Sequence, residues 1–378
     1  MRSLDTARET CEQFHPGLVK SLAEPPLAER EAPGSPVVGM FRAAGGPALL
    51  VPPAYGGHGA GPLDAARVVR ALSAASPSLG AAAVMHHFTM AMLFALTETA
   101  GRLTPAQVRL LSRIAPERLL AASGWAEGRS DQNILLPSVT AAPTDGGYLI
   151  NGGKKPCSLS RSMDLLTASV ALPVDGQPAL AVLLVPADSP GITVHPFWGS
   201  PVLAAAESDE VRLTDVFVPE ELVVRTVPED PDRLDDLQTA GFLWFELLIS
   251  SVYTGAASAL VERALAAGRG SVTDRLEVGL RLETAVGLLE GVARAAQDGV
   301  GGDEVVAQVL VARYAAQEAL TAAAQRAAEL LGGMAFVSAP DVAYLASAVR
   351  ALAFHPPSRT AAAQSLVDYF GGEPLRLS

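Results

Sequence analysis

Cysteine, lysine and aromatic residues are scarce in this chain of 378 residues. Its two cysteines, Cys11 and Cys157, are too few and too far apart for a disulfide framework or a cysteine-rich metal site. Lysine occurs only at positions 20, 154 and 155, and 28 basic residues stand against 40 acidic ones, which gives a net charge of −12. Because nucleic-acid binding needs a basic stripe and the sequence has none, we expect no nucleic-acid partner.

Several motifs of metal, nucleotide and hydrolase sites are also missing. The six histidines, at positions 15, 58, 86, 87, 195 and 355, have no spacing typical of metal ligands, so we predict no metal site. The glycines at 57–61 are interpreted as turn residues, because no strand–turn–helix pattern surrounds them. The sequence contains no G-x-S-x-G motif, which argues against a serine hydrolase of the α/β type.

The longest uncharged stretch, 71–97, is interrupted by Pro77 and carries His86 and His87. Its low hydrophobicity predicts a buried helix rather than a membrane span, and we expect no second candidate span and no membrane association. Acidic residues from Asp5 onward precede any apolar run, so no signal peptide is expected. Together with the low cysteine content, this indicates a reducing, cytoplasmic location.

Composition and periodicity divide the chain into three parts, 1–118, 119–228 and 229–378. The first and last show helical periodicity, whereas the middle part has short β-branched runs separated by turn signals. The middle pattern predicts an antiparallel sheet or small barrel, and the long alanine-rich segments after residue 235 predict a four-helix bundle. We predict helices at 4–14, 64–75, 79–97, 104–114, 237–267, 276–297, 304–331, 341–353 and 360–370, and strands at 138–142, 147–152, 165–171, 180–185, 192–196 and 210–216.

Five short motifs occur in the order found in a known enzyme family. They are PAYGGHG at 53–59, WAEGRSD at 125–131, GYLINGGKK at 147–155, EVRLTDVFVP at 210–219 and ELLGG at 329–333. Each motif is weak alone, but the ordered set resembles the acyl-CoA dehydrogenase family. The resemblance implies an α+β fold with an N-terminal helical domain (1–118), a middle antiparallel β domain (119–228) and a C-terminal four-helix bundle (229–378).

The resemblance implies FAD as the cofactor. A loop of small and hydroxyl residues at 123–130 lets backbone N–H groups approach a flavin ring edge and a pyrophosphate without a basic patch, although an ordinary glycine loop is the alternative. Where the family places a Trp and a Thr against the flavin ring, this chain has Pro156 and Ser158. Ser158 keeps a hydroxyl for the flavin N5 edge, and Trp125 is a candidate replacement for the lost indole.

Other cofactor residues follow from the family's remaining motifs. Arg269 alone survives from a motif that reaches across the family's dimer, and Cys157 lies beside the proposed flavin edge, where packing is the alternative role. The predicted cofactor-binding residues are therefore Ser123, Gly124, Trp125, Ser130, Pro156, Cys157, Ser158, Arg269, Gly332 and Gly333.

The carboxylate that catalyses dehydrogenation in this family is missing from its usual place. Most members carry it in the loop before the last helix, which here reads HPPSRT at 355–360, with Ser358 or Arg359 at the position of the Glu. The candidate base is Glu246 on the first bundle helix, whose helical neighbours are largely apolar, so that desolvation would raise its pKa. The alternative is a structural Glu246, paired with Arg359. The predicted substrate pocket consists of Ser130, Tyr253 and Arg359.

These features predict an FAD-dependent oxidoreductase that introduces an α,β double bond into an acyl thioester in specialised metabolism. The partners expected from the resemblance are an acyl-CoA or acyl carrier protein, an electron-transfer flavoprotein or O₂ as electron acceptor, and further copies of the chain in a homodimer or homotetramer. Two alternatives remain: a flavin-dependent monooxygenase on the same fold, because members without the glutamate hydroxylate carbon or nitrogen with reduced flavin and O₂, and a non-catalytic scaffold.

Overall fold

The structure is a computed structural model that describes residues 1–98, 101–128, 137–174, 177–225 and 234–377. Its first part consists of helices, as predicted. Pro77 opens the second long helix behind an Ser76 cap, and a capping box of Thr104 and Gln107 begins the next one. The helices are α1 (Arg2–Phe14), α2 (Leu18–Ala23), α3 (Leu27–Arg30), α4 (Val37–Ala43), α5 (Pro62–Ala75), α6 (Pro77–Ala95) and α7 (Pro105–Leu111). The sequence did not predict α2, α3 and α4, because such short helices show no clear period.

The middle part forms one sheet of eight strands in the order β6-β7-β3-β2-β4-β5-β8, with β1 beside β4. Most neighbours are antiparallel, as predicted, but β1 and β2 pair with β4 in parallel. The two short strands β1 and β8 were not predicted. The strands are β1 (Ala121–Gly124), β2 (Thr140–Thr144), β3 (Gly147–Cys157), β4 (Leu165–Val174), β5 (Gln177–Pro186), β6 (Ile192–His195), β7 (Asp209–Pro219) and β8 (Val223–Arg225).

Helices return after the sheet, and all of them except the short α11, which was not predicted, lie close to the predicted bounds. Capping boxes at Asp235 and Ser271 begin the first two. The helices are α8 (Asp236–Ala266), α9 (Val272–Gln297), α10 (Gly302–Leu331), α11 (Gly333–Ser338), α12 (Pro340–Val349) and α13 (Arg359–Phe370). The predicted four-helix bundle consists of α8, α9, α10 and α12, which pack against one another.

Helix α8 lies at the centre of the molecule and packs against α5, α6 and α10. A close approach of α5 and α8 requires Gly255, because a Cβ there would lie 2.4 Å from the carbonyl oxygen of Arg70. Buried apolar residues from the N-terminal helices, the sheet and the bundle form one continuous core. The site residues are therefore held by elements from all three parts of the chain.

Two helices in the described part of the chain are long and apolar enough to cross a bilayer, Pro77–Ala95 and Leu237–Ala266. The expectation of a single candidate is thus wrong, because Glu246 is the one charged residue between Leu237 and Val261. In each helix, 89% of the most apolar window is buried inside the fold. Burial of this kind is typical of core helices, so we infer no membrane span from them.

Candidate functional site

The predicted cofactor loop begins at the end of β1. Ser123 and Gly124 belong to that strand rather than to a loop, because they pair in parallel with Thr167 and Ala168 of β4. A Cβ at Gly124 would lie only 3.2 Å from side-chain atoms of β3 and β4 neighbours. Trp125 follows, and its indole Nε1 is buried without a hydrogen-bond partner among the described residues. Ser130, predicted for both cofactor and substrate, lies outside the described residues.

A buried ion pair supports this segment. The Glu127 carboxylate accepts a hydrogen bond of 2.6 Å from the Lys154 ammonium, and the two side chains are 3% and 0% exposed. Backbone N–H groups of Ser138 and Val139 donate to the same carboxylate. Burial raises the pKa of Glu127, but the hydrogen bonds from Lys154 and Ser138 outweigh it and hold the pKa at about 2. Glu127 thus anchors the predicted cofactor segment to β3, a role that its motif did not reveal.

The three residues predicted against the flavin ring have different surroundings. Pro156 is exposed, and Ser158 is half-buried with its hydroxyl 2.9 Å from that of Ser208. Cys157 points into the core, where burial raises the pKa of its thiol to about 12. Because side chains alternate between the two faces of a strand, Cys157 faces the core, and its contact with the cofactor stays a prediction. The packing role is the one observed.

The candidate base Glu246 forms a fully buried ion pair with Arg313 of α10, at 2.7 Å. The predicted pairing of Glu246 with Arg359 is therefore wrong. Arg359 begins α13 on the surface and binds Glu318 at 2.6 Å, because the last helix starts outside the core. Burial raises the pKa of Glu246 to about 7 against the opposing effect of the Arg313 charge. The second carboxylate oxygen, Oε1, has no hydrogen-bond partner among the described residues.

Arg313 also holds the loop in which the family carries its usual base. Its guanidinium donates hydrogen bonds to the carbonyl oxygens of Leu352, His355, Pro356 and Pro357. The neighbouring Tyr314 hydroxyl donates to this loop as well. Residues 354–358 include no acid, so Arg313 and Tyr314 hold a loop that presents no carboxylate.

The inward-facing side chain of this loop is His355. Its Nε2 lies 2.6 Å from the hydroxyl of the buried Tyr253. The imidazole packs edge-on against Phe245, with ring centroids 5.9 Å apart, and Phe245 packs in turn against Phe88 of α6. Of the predicted pocket residues, the structure brings Tyr253 here but not Arg359. The sequence analysis missed His355, although the motif comparison had selected its loop.

The last group of predicted cofactor residues lies elsewhere in the chain. Arg269 donates to the carbonyl oxygen of Leu331, next to Gly332 and Gly333, where α10 ends. Gly332 has a φ of 83°, a conformation that favours glycine. The two glycines line a cavity of about 370 Å³ between α10, α11 and α12, whereas Ser123 and Trp125 lie beside β4 and β3. The structure thus divides the predicted cofactor residues into two separate groups.

Comparison with known proteins identifies the family. Residues 3–101 match the model of the acyl-CoA dehydrogenase N-terminal domain. The chain is 64% identical over 378 residues to isobutylamine N-hydroxylase from Streptomyces viridifaciens, covering 100% of both.

Solved structures share the fold at low sequence identity. A nitrososynthase from Micromonospora carbonacea var. africana superposes with a TM-score of 0.81 at 22% identity, over 97% of this chain and 96% of that one. XiaF from Streptomyces sp., in complex with FADH2 and glycerol, gives a TM-score of 0.78 at 21% identity, over 100% and 98%. The fold and the resemblance predicted from the sequence are thereby confirmed. A relative this similar over the whole chain, with the matching N-terminal domain and the shared fold, shows that the chain belongs to the acyl-CoA dehydrogenase family of flavin-dependent enzymes.

Proposed function

We propose that this enzyme is a flavin-dependent monooxygenase that hydroxylates the nitrogen of a small aliphatic primary amine. The observation that carries the proposal is the 64% identity, along the whole chain, to an isobutylamine N-hydroxylase. We therefore favour the monooxygenase, which was an alternative in the sequence analysis, over the α,β-dehydrogenation of an acyl thioester.

The surroundings of Glu246 support this choice. Dehydrogenation needs a carboxylate that can reach the α-hydrogen of a thioester. The loop at 354–358 has no acid, and Glu246 is fully buried in its pair with Arg313. If Glu246 left this pair to act as a base, the charge of Arg313 would stay buried without its partner, which costs several kcal/mol. Amine oxygenation has no need of this base, because the nitrogen lone pair itself attacks oxygen.

The proposed cofactor is FAD, held by Ser123, Gly124, Trp125 and Ser158. The indole Nε1 of Trp125, which has no hydrogen-bond partner among the described residues, and the hydroxyl of Ser158 offer polar groups to a ligand. These features fit a flat, polar-edged ring. When bound in its reduced form, the flavin supplies two electrons to O₂, so that one oxygen atom enters the amine and the other leaves as water.

We further propose that two or more copies of the chain associate through α9 and α11. Val272, Leu276 and Leu280 follow one another at helical spacing and are 74%, 57% and 57% exposed, and Met334 and Val337 of α11 are exposed as well. Since Arg269 and Gly332 lie near this surface and apart from Trp125, they would serve the cofactor of a neighbouring copy. A homodimer or homotetramer therefore remains our expectation.

Two reactions test the proposal, one for N-hydroxylation and one for dehydrogenation, and the first is for N-hydroxylation. The purified protein is mixed with anaerobically reduced FAD and isobutylamine, and the reaction is started with isotopically labelled O₂. We expect the corresponding hydroxylamine, carrying one labelled oxygen atom, in mass spectra. Isobutanol, which has the same carbon skeleton without the basic nitrogen, is the matched control compound and should remain unchanged. Parallel reactions with reduced FMN measure which flavin the protein uses.

A second reaction distinguishes the dehydrogenase. Oxidised FAD enzyme is mixed anaerobically with isobutyryl-CoA, and the visible flavin absorption is followed. Bleaching there, without hydroxylamine formation in the first reaction, would overturn the proposal in favour of thioester dehydrogenation. If the protein binds neither FAD nor FMN, it is the non-catalytic scaffold.

A further inference from the structure

His355 lies in the loop where most members of the family carry the catalytic carboxylate, and three sets of contacts orient its side chain. The outermost is the main chain, because four carbonyl oxygens of residues 352–357 accept hydrogen bonds from Arg313. Arg313 is 1% exposed, and Glu246 neutralises its charge. One arginine thereby fixes the course of the loop and turns the side chain of His355 towards α8.

The hydrogen bond to Tyr253 determines which ring nitrogen carries the proton. Burial raises the pKa of the Tyr253 hydroxyl and lowers that of His355 to about 3, so the phenol is protonated and the imidazole is neutral. Among the described residues, the Tyr253 hydroxyl has a single hydrogen-bond partner, the Nε2 of His355. Its proton therefore goes to Nε2, and the neutral ring carries its own proton on Nδ1.

This geometry leaves the Nδ1–H group of His355 as a hydrogen-bond donor beside two aromatic rings. Nδ1 of His355 makes no hydrogen bond with the described part of the chain, and the residue is half-buried. Phe245 packs against the imidazole, and Phe88 lies behind Phe245. Apolar rings, which suit the alkyl part of a small amine, thus lie beside one oriented N–H group.

Building on the proposed function, we propose that His355 is a catalytic residue whose Nδ1–H group donates a hydrogen bond to the oxygen atom that leaves as water. The bond between the two oxygen atoms breaks as the bond from nitrogen to oxygen forms. The reduced flavin is oxidised by two electrons, and the amine nitrogen is oxidised by two. The nitrogen loses one proton to the leaving oxygen, the two hydrogens of the reduced flavin would complete the water molecule and the O–H group of the hydroxylamine, and the neutral imidazole keeps its own proton on Nδ1. Tyr253, Arg313 and Glu246 are positioning residues that act through His355.

The first test needs no flavin. Protein labelled with ¹⁵N-histidine is examined by NMR at neutral pH, and the His355 signal is assigned by its loss in His355→Gln. We expect a neutral ring protonated at Nδ1, and a mixture of both tautomers in Tyr253→Phe. A His355 ring protonated at Nε2 in the unmodified protein would overturn the inference.

The second test follows the fate of O₂ with reduced flavin and isobutylamine. Removing one positioned hydrogen-bond donor to a developing oxyanion costs about 10²–10³-fold, so His355→Ala should lose rate by about that factor, with KM for the amine changed less and more O₂ released as hydrogen peroxide. His355→Gln, which keeps an N–H donor, should recover part of the rate. The control is His195→Gln, a histidine on β6 whose ring bonds only Thr193 among the described residues.

The outcomes separate this inference from the proposed function. Hydroxylamine formation by the unmodified protein and equally by His355→Ala would overturn the role of His355 alone. No hydroxylamine from the unmodified protein, despite bound reduced flavin, would overturn the proposed function and the role of His355 with it. Thermal unfolding of each variant shows whether it is folded, and His355→Gln carries the comparison if His355→Ala is not.

Discussion

Lys154 and Lys155 are neighbours in sequence with opposite surroundings. The Lys154 ammonium is fully buried against Glu127, whereas Lys155 is one-third exposed and pairs with Glu210. Strand β3 accounts for the difference, because successive side chains point to opposite faces of the sheet. A buried pair is expensive to break, since the remaining charge loses its partner without regaining water. An exposed pair costs little, because water and salt replace the partner.

We therefore expect Lys154→Met to lower the free energy of unfolding by about 3–5 kcal/mol, because it removes the buried ammonium that pairs with the Glu127 carboxylate. Lys155→Met is the matched control and should cost less than about 1 kcal/mol. Urea denaturation of both variants, followed by circular dichroism, measures the difference. Equal effects would show that Glu127 does not depend on Lys154.

At the scale of elements, α9 has two apolar faces. One, which includes Val278, Leu282 and Leu289, is buried, and α9 packs against α8 and α10. The other, formed by Val272, Leu276 and Leu280, is exposed in the single chain. A helix with a single apolar stripe needs only its own core, whereas a second stripe at helical spacing is the feature on which the proposed association of copies rests.

Replacing both Leu276 and Leu280 by Glu should weaken self-association at least about tenfold, because each introduced carboxylate would lose its hydration in an apolar contact. Glu277→Gln, on the same helix but in an exposed pair with Arg281, should leave association unchanged. Sedimentation equilibrium of the three proteins compares their masses. An unaltered mass in the double variant would place the interface elsewhere.

Four of the six histidines are held neutral inside the molecule. Burial lowers the pKa of His15 and of His86 to about 4, that of His355 to about 3, and that of His87 well below its usual value. The His86 ring links α6 to two other segments. Its Nε2 bonds the carbonyl oxygen of Pro47, and its Nδ1 accepts a hydrogen bond from the N–H of Ala121. His87 has no hydrogen-bond partner among the described residues.

The whole molecule should consequently lose stability in mild acid. Because the folded-state pKa values lie below the ordinary value of 6.5, the unfolded chain binds more protons once the pH falls below about 6.5. Stability is fully present above that pH and is lost towards pH 4, by at most about 1.4 kcal/mol per pH unit for each histidine. His87→Leu should remove one such contribution from the slope. Urea unfolding between pH 7.5 and pH 5 measures it, and an unchanged slope would exclude His87.

The long elements could be predicted from the sequence to within a few residues. Helices α5, α6, α8, α9 and α10 and strands β2, β4, β5 and β7 carry strong periodicity, caps or turn signals that act locally. Some short elements escaped prediction. Strand β1 did, because its four residues lack the turn signals that mark the equally short β6, and its partner β4 lies about 40 residues further on. In the candidate site, too, local motifs could be predicted and distant contacts could not. The motif at 125–131 pointed to the cofactor segment, but nothing in it indicated that Glu127 is an anchor.

The sequence by itself determined the three-part order, the family and the absence of the usual loop carboxylate, because these depend on local periodicity and on motifs read along the chain. Only the tertiary structure decided the partners of the buried charges. Glu246 is separated from Arg313 by 67 positions and from Arg359 by more, and both pairings are compatible with the sequence. The choice depends on which helix packs against α8, and α10 does. For the same reason, His355 became a candidate only when the loop held by Arg313 placed its ring against Tyr253.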